Sequence, residues 1–309
     1  KTAYEIRLSL VGSEMCIRDS SKFIRINNSE EEMNLVTVCG HNTTMLYHML
    51  KHYYLHMDEI FVVLYAHHSK DPIIEQGLEI LDKFNLQPHE IIVDEPFNWE
   101  KVTEYYNEVK LLKPNDWWIV ADDDELQLYS KPIETIVQEC EEFGYEFVTG
   151  GFVDRIGDNG DFPKITKESN LWEEMPEAGF FRYPLSKACP NKVTMMKGSV
   201  KVCSGQHYVE FPDGTSSWGS EHPKRYPIEK NFTQVHHFKW DYSVLDRLQQ
   251  VGKSSIGESW GEEYQLMYDE IKDNINTLLS NEIKKTDKIP PAQEIQFKKM
   301  IAISFVKHG

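Results

Sequence analysis

Basic residues are in short supply in this chain: Lys and Arg total 33 against 50 Asp and Glu, for a formal charge of -17. A surface with that balance repels a phosphate backbone, which excludes a broad nucleic-acid footprint. Cysteine is sparse too. Five are present, Cys16, Cys39, Cys140, Cys189 and Cys203, with no C-x-x-C or zinc-type spacing. Such a set excludes a disulfide scaffold and a thiolate metal centre, and fits the reduced thiols of a cytosolic protein. No apolar stretch approaches the ~20 residues needed to cross a bilayer, which leaves a soluble or at most peripheral chain. Internal repeats and low-complexity tracts are missing as well.

What is present suffices for a sizeable core: 309 residues, 40% hydrophobic and 12% aromatic, enough for one large domain with an elaboration. The first twenty residues, KTAYEIRLSLVGSEMCIRDS, resemble translated sequencing-adapter read-through. Glu14 interrupts their short apolar segment, a poor fit to a signal peptide. They carry no functional expectation.

From Asn34 onward two periods alternate. NLVTVCG (34–40) predicts a buried strand, and TTMLYHMLKHYYLHM a helix with Met45, Leu46, Met49, Leu50 and Tyr53 on its apolar face. EIFVVLYA (59–66) predicts a second strand. In the next helix (71–85), Ile74, Leu78 and Leu81 share a face and Pro72 sits in the first turn. EIIVDE (90–95), a helix over 99–113 and DWWIVADDDE (116–125) complete the series. Three successive βα units with continuous apolar strands predict an α/β fold, a mostly parallel sheet covered on both faces. A helix over 131–145 closing at Gly144 and a strand over 146–156 follow. Residues 171–212 read as an antiparallel extension, the segment from Gly214 to Pro227 as a lid-like loop, FTQVHHFKW as a late strand, and the remainder as C-terminal helices.

Asp122, Asp123, Asp124 and Glu125 stand side by side at the end of an apolar run. A solvated acidic turn or a helix cap accounts for such a tetrad without any ligand. On an extended strand, however, Asp122 and Asp124 share a direction and Asp123 points away. In a sheet of this class the carboxyl ends of the strands face the ligand crevice. Two carboxylates converging there suit Mn²⁺ or Mg²⁺, hard cations that keep coordination positions open for phosphates.

The segments VCGHN (38–42), YAHHSKD (65–71), YYNEV (105–109), WWIVADDDEL (117–126), GGFVDRIGDNGDFP (150–163) and VHHFKW (235–240) together resemble the nucleotide-sugar-dependent glycosyltransferases of the GT-A fold, family 2 and its DxDE-bearing relatives. The resemblance covers most of residues 34–250. It departs at His41-Asn42, where Asn-Glu is usual, and in lacking a helix-borne Glu-Asp. It implies a Rossmann-like domain over 21–240, with a nucleotide half (34–130), an acceptor half (131–240) and a helical extension (241–309). It further implies an inverting, hexosyltransferase-like enzyme that moves a sugar from a nucleotide-sugar donor to a saccharide or other hydroxyl acceptor. Its setting would be polysaccharide synthesis at the cytoplasmic face of a membrane. Asp122, Asp124 and His237 would hold Mn²⁺ or Mg²⁺, with His236 second to His237. Asn42, Ser69, Asp71, Asn107, Asp122 and His207 would meet the donor.

Asp154, ending the strand after the acidic motif, and Glu221, in the loop, are the two candidates for deprotonating an acceptor hydroxyl. Asp154 equally suits a loop cap or a pair with Arg155, and Glu221 a solvated surface. Asp71 also reads as a helix N-cap and His207 as a packed loop residue. Trp172, Trp218, Trp240 and Trp260 could stack on sugars or belong to the core. Lys192, Lys197 and Lys201 form the one basic interval, suited to phosphate or to solvent. Two rival functions share the acidic cluster: a metal-dependent phosphohydrolase or nucleotidyltransferase, and a non-catalytic carbohydrate-binding module.

Overall fold

A computed structural model describes residues 32–94, 98–179, 191–215, 222–255 and 259–272. The first twenty residues, the centre of the expected lid and Glu221 lie outside them. In chain order the strands are β1 (Met33–Cys39), β2 (Glu59–Ala66), β3 (Glu90–Val93), β4 (Trp117–Val120), β5 (Glu125–Leu128), β6 (Phe147–Ile156), β7 (Glu177–Gly179), β8 (Asn191–Lys197), β9 (Lys201–Val202), β10 (Val209–Glu210) and β11 (Thr233–His237). The helices are α1 (Thr43–Tyr53), α2 (Pro72–Lys83), α3 (Trp99–Lys110), α4 (Ile133–Phe143), a single turn α5 (Leu171–Glu174), α6 (Val244–Ser254) and α7 (Ser259–Ile271). No helix among the described residues is long and apolar enough to cross a membrane.

The main sheet runs β3-β2-β1-β4-β8-β6-β11-β5, with β7 on β6. Strands β3, β2, β1 and β4 are parallel, as βαβ connections require. β8 enters antiparallel between β4 and β6, and β11 runs parallel to β6 but antiparallel to β5. Strands β1 and β4 and most of β2 read as unbroken apolar runs because both faces are covered, whereas the edge strand β3 is largely exposed. Leu35, Leu64 and Ile119 face one core with α1 and α2, while Val36, Val63 and Val120 face another with Val102, Tyr106 and Val109 of α3. Asn42, Asp71 and Asn98 cap α1, α2 and α3, each accepting a bond from the amide two residues on, worth about 1 kcal/mol apiece. Helix α4 ends at Gly144 with φ 74°.

Four expectations are corrected here. Helix α2 buries Ile73, Gly77, Ile80 and Leu81, while Leu78 is exposed. The glycine marks the contact, since a Cβ there would lie 2.7 Å from a Leu64 methyl. The fourth strand ends at Val120; Asp122 to Glu125 form a turn closed by the Glu125 amide on the Asp122 carbonyl at 3.0 Å. β8 is no extension but a central strand of the main sheet. Finally, Val244, Leu248, Tyr264, Met267 and Ile271 belong to the same apolar cluster as Leu35 and Ile119, so the boundary at residue 240 runs through one core.

Candidate active site

The ends of β1, β2 and β4 deliver Val38, Gly40, His41, His67, Asp122 and Asp123 to one pocket of about 210 Å³. Val102 and Tyr106 of α3 form its floor, and α6 and α7 close it with Arg247, Gln250, Ser254 and Tyr264. This is the crevice outside the strand carboxyl ends, as expected for such a sheet. Burial, then the Arg247 guanidinium, push His41 down to about 3, so its ring faces the pocket neutral.

Each member of the acidic turn meets a different partner. Asp122 Oδ1 accepts from the Tyr106 hydroxyl and from Gln206 Nε2, both at 2.8 Å, and its Oδ2 lies 3.4 Å from the Lys192 ammonium. Burial, the largest influence, opposes its charge, but Lys192 together with the Gln206 and Tyr106 hydrogen bonds outweighs it, and the pKa falls below the ordinary value. Asp124 Oδ2 accepts from Arg247 at 2.8 Å, and its Oδ1 has no hydrogen-bond partner. Again burial is overcome, here by His237 and Arg247, which hold Asp124 ionised. Asp123 and Glu125 go the other way, each pushed up to about 7, first by burial and then, for Asp123, by Asp124. Glu125 Oε1 stands 2.8 Å from Lys192 as an ion pair without aligned hydrogen-bond geometry.

Asp122 and Asp123 therefore share the pocket, and Asp124 lies beside it, bonded to the pocket-lining Arg247. Strand alternation does not apply because these residues sit in a turn. Asp124 Oδ1 lies 3.5 Å from His237 Nε2. The other ring nitrogen, Nδ1, is 2.9 Å from Asp154 Oδ1, which also accepts from Trp240 Nε1 at 2.9 Å. Burial disfavours the charged ring, but Asp124 and then Asp154 outweigh it and raise the His237 pKa; when the ring is neutral, the carboxylate on Nδ1 keeps the proton there and leaves the Nε2 lone pair toward Asp124.

Among the described residues no three His, Cys, Asp or Glu side chains gather into a metal-holding cluster. The expected trio is split, because the oxygens of Asp122 are committed to Tyr106, Gln206 and Lys192. What fits a dication is the smaller set: an ionised Asp124 with an orphaned oxygen, facing a histidine whose far nitrogen is held by a carboxylate. Mg²⁺ and Mn²⁺ are commonly held by one or two protein ligands, with phosphates completing the sphere.

The other expected residues have other occupations. Asn42 caps α1 and donates to Asp241 at 3.0 Å. Asp71 is the N-cap of α2, accepting from Ile73 and His67 amides, and Ser69 lies exposed in the turn before it. Both polar ends of the Asn107 side chain are used by the Val202 backbone, at 2.8 and 2.9 Å. His207 packs against Phe152, bonds the Asn191 carbonyl at 2.8 Å and is pushed down to about 4, chiefly by burial. Asp154 is buried and pairs with His237 and Trp240. His236 points to the opposite side, bonded to Gln234 at 3.1 Å and packed on Trp172. Lys192 is buried at 2% exposure, and Lys197 and Lys201 pair with Glu141 and Glu210.

Tyr106, Gln206 and Arg247 were not anticipated. Gln206 follows Gly205 in a turn where both residues have positive φ, 54° and 66°. That conformation is unusual for a glutamine and aims its amide at Asp122. Gly205 carried a faint signal for such a turn; Tyr106 and Arg247 carried none, since helical periodicity does not reveal which polar residue looks into a cleft.

No described protein family's sequence profile matches this chain, and no curated protein does. Solved structures that resemble it include a Bacillus anthracis protein assigned as a glucose-1-phosphate thymidylyltransferase, in complex with sucrose (14% identity, 54% of this chain and 72% of that one, TM-score 0.30). Others are mannose-6-phosphate isomerase from Helicobacter pylori (11%, 42% and 57%, 0.28) and 4-diphosphocytidyl-2C-methyl-D-erythritol synthase (13%, 55% and 77%, 0.29). Similarity this slight leaves the chemistry of this chain to its own residues.

Proposed function

We propose that the pocket binds a nucleotide sugar and that the protein transfers the sugar to a hydroxyl acceptor, with Mn²⁺ or Mg²⁺ held by Asp124 and His237. The observation that carries this reading is the orphaned oxygen of an ionised Asp124 facing a carboxylate-oriented His237, beside a pocket formed by strand carboxyl ends. A dication there would neutralise charge that builds on the leaving diphosphate. The chain's own residues supply the rest. Asp154 fixes the ring of His237; Tyr106 and Gln206 fix Asp122. Lys192, sealed behind it, keeps Asp122 ionised without itself reaching the ligand.

A thermal-shift panel of nucleoside diphosphates, with and without Mn²⁺, tests this. At a hundred times Kd a ligand adds about 2.7 kcal/mol to stability, a shift of several degrees. Stabilisation by one diphosphate that is larger with metal than without it, the increment being lost in Asp124→Asn and His237→Ala, is the expected result. Phosphate release without any acceptor would favour the hydrolase, and sugar binding without nucleotide the carbohydrate-binding module.

A further inference from the structure

Helices α6 and α7 bring to the pocket a wall that no strand supplies. Its cation is Arg247, whose side chain is 17% exposed and donates from Nη1 to Asp124 Oδ2. A guanidinium carries five N–H donors, and among the described residues the Arg247 side chain makes no second hydrogen bond. Its nitrogens are not among the sealed, unpartnered atoms of the interior, so the spare donors open into the pocket that Arg247 lines. A second donor stands on the same wall. The Tyr264 hydroxyl accepts from Lys239 Nζ at 3.1 Å, which leaves its own proton to give, and Tyr264 also lines the pocket. Of the neighbouring carboxylates, Asp122 is countered by Lys192 and Asp124 by His237 and Arg247 itself, while Asp123, which also lines the pocket, has no ion pair among the described residues. The two helices are locked together: a Cβ at Gly261 would fall 2.0 Å from the Ser255 carbonyl oxygen, and one at Gly252 3.1 Å from the Gln265 amide.

The geometry points to an anion subsite on the α6–α7 pair, in which Arg247 and Tyr264 take the terminal phosphate of a nucleoside diphosphate. This rests on the reading that the pocket accepts a nucleotide and adds the residues that grip its phosphate end. A fixed guanidinium fork offering parallel N–H groups matches phosphate oxygens better than a point charge does.

Calorimetric titration of the full chain in EDTA tests it, with inorganic pyrophosphate, a nucleoside diphosphate and the parent nucleoside as probes. Arg247→Gln is expected to weaken both phosphate ligands at least tenfold and to leave the nucleoside within twofold. Arg247→Lys should fall between, and Tyr264→Phe should lose severalfold. Because Arg247→Gln strips Asp124 of a partner, the double variant Arg247→Gln/Asp124→Asn serves as a folding control and should show the same loss. The subsite is overturned if wild type binds no pyrophosphate, if Arg247→Gln binds it normally, or if nucleoside affinity falls equally. Arg247-dependent phosphate binding without sugar transfer in Mn²⁺ would remove the transferase and leave the subsite. Transfer with an Arg247-independent phosphate affinity would do the reverse.

Discussion

Lys192 buries its ammonium between Glu125 and Asp122, with 2% of its side chain exposed and 1% of Glu125's. Burial works against its charge, but the two carboxylates overcome that and raise its pKa. Removing one partner of a buried pair leaves the other charge uncompensated, at about 3–5 kcal/mol. Lys192→Met is therefore expected to destabilise the protein by that order in urea denaturation at pH 8. At pH 5 the loss should be smaller. Glu125 already has a raised pKa in the fold, and losing Lys192 raises it further, so the native state holds a proton that the unfolded chain has released. Stability then falls as pH climbs between the unfolded and folded pKa values. A loss independent of pH would mean that Glu125 finds another cation. Sequence alone showed the acidic tetrad but not its counter-ions, because Lys192, Arg247 and His237 come from positions at least 67 residues further along the chain.

The parallel pairing of β6 with β11 sets Asp154 opposite His237. That register depends on Gly150, which pairs with Thr233 at the start of β11 and whose Cβ, if present, would fall 2.0 Å from the Thr233 carbonyl oxygen. The obstacle is backbone and cannot swing aside. Gly150→Ala is expected to cost about 3 kcal/mol, at the upper end of ordinary overpacking penalties, and to abolish the Asp154–His237 contact; an unchanged urea midpoint would refute the close approach. The βα units up to α3 were legible because their strands are continuous apolar runs and their helices carry capping residues and regular apolar spacing. The turn at Asp122 to Glu125 was not. Its residues follow an apolar run without glycine or proline, so nothing local marked where the strand stops. β8 was misplaced for a related reason: a strand's pattern records burial, not which neighbours it lies between.

Over the whole molecule, the helices after Trp240 are part of the main core. Val244, Leu248, Tyr264, Met267 and Ile271 are all buried in the main cluster. At ~2 kcal/mol for each, they contribute roughly 10 kcal/mol, comparable with the entire stability of an ordinary protein. A chain ending at Trp240 is therefore expected to aggregate or to lack a cooperative thermal transition by near-UV circular dichroism, whereas a separable extension would leave a folded core. The amino-acid sequence by itself determined the α/β class and the strand-and-helix order of the first half, because those follow from local periodicity and capping. Only the tertiary structure decided which carboxylate faces which cation, that β8 threads the centre of the sheet and that α6 and α7 wall the pocket. Those outcomes depend on contacts between segments far apart in the chain, where the energy of a pair is set by burial and distance that no local pattern encodes.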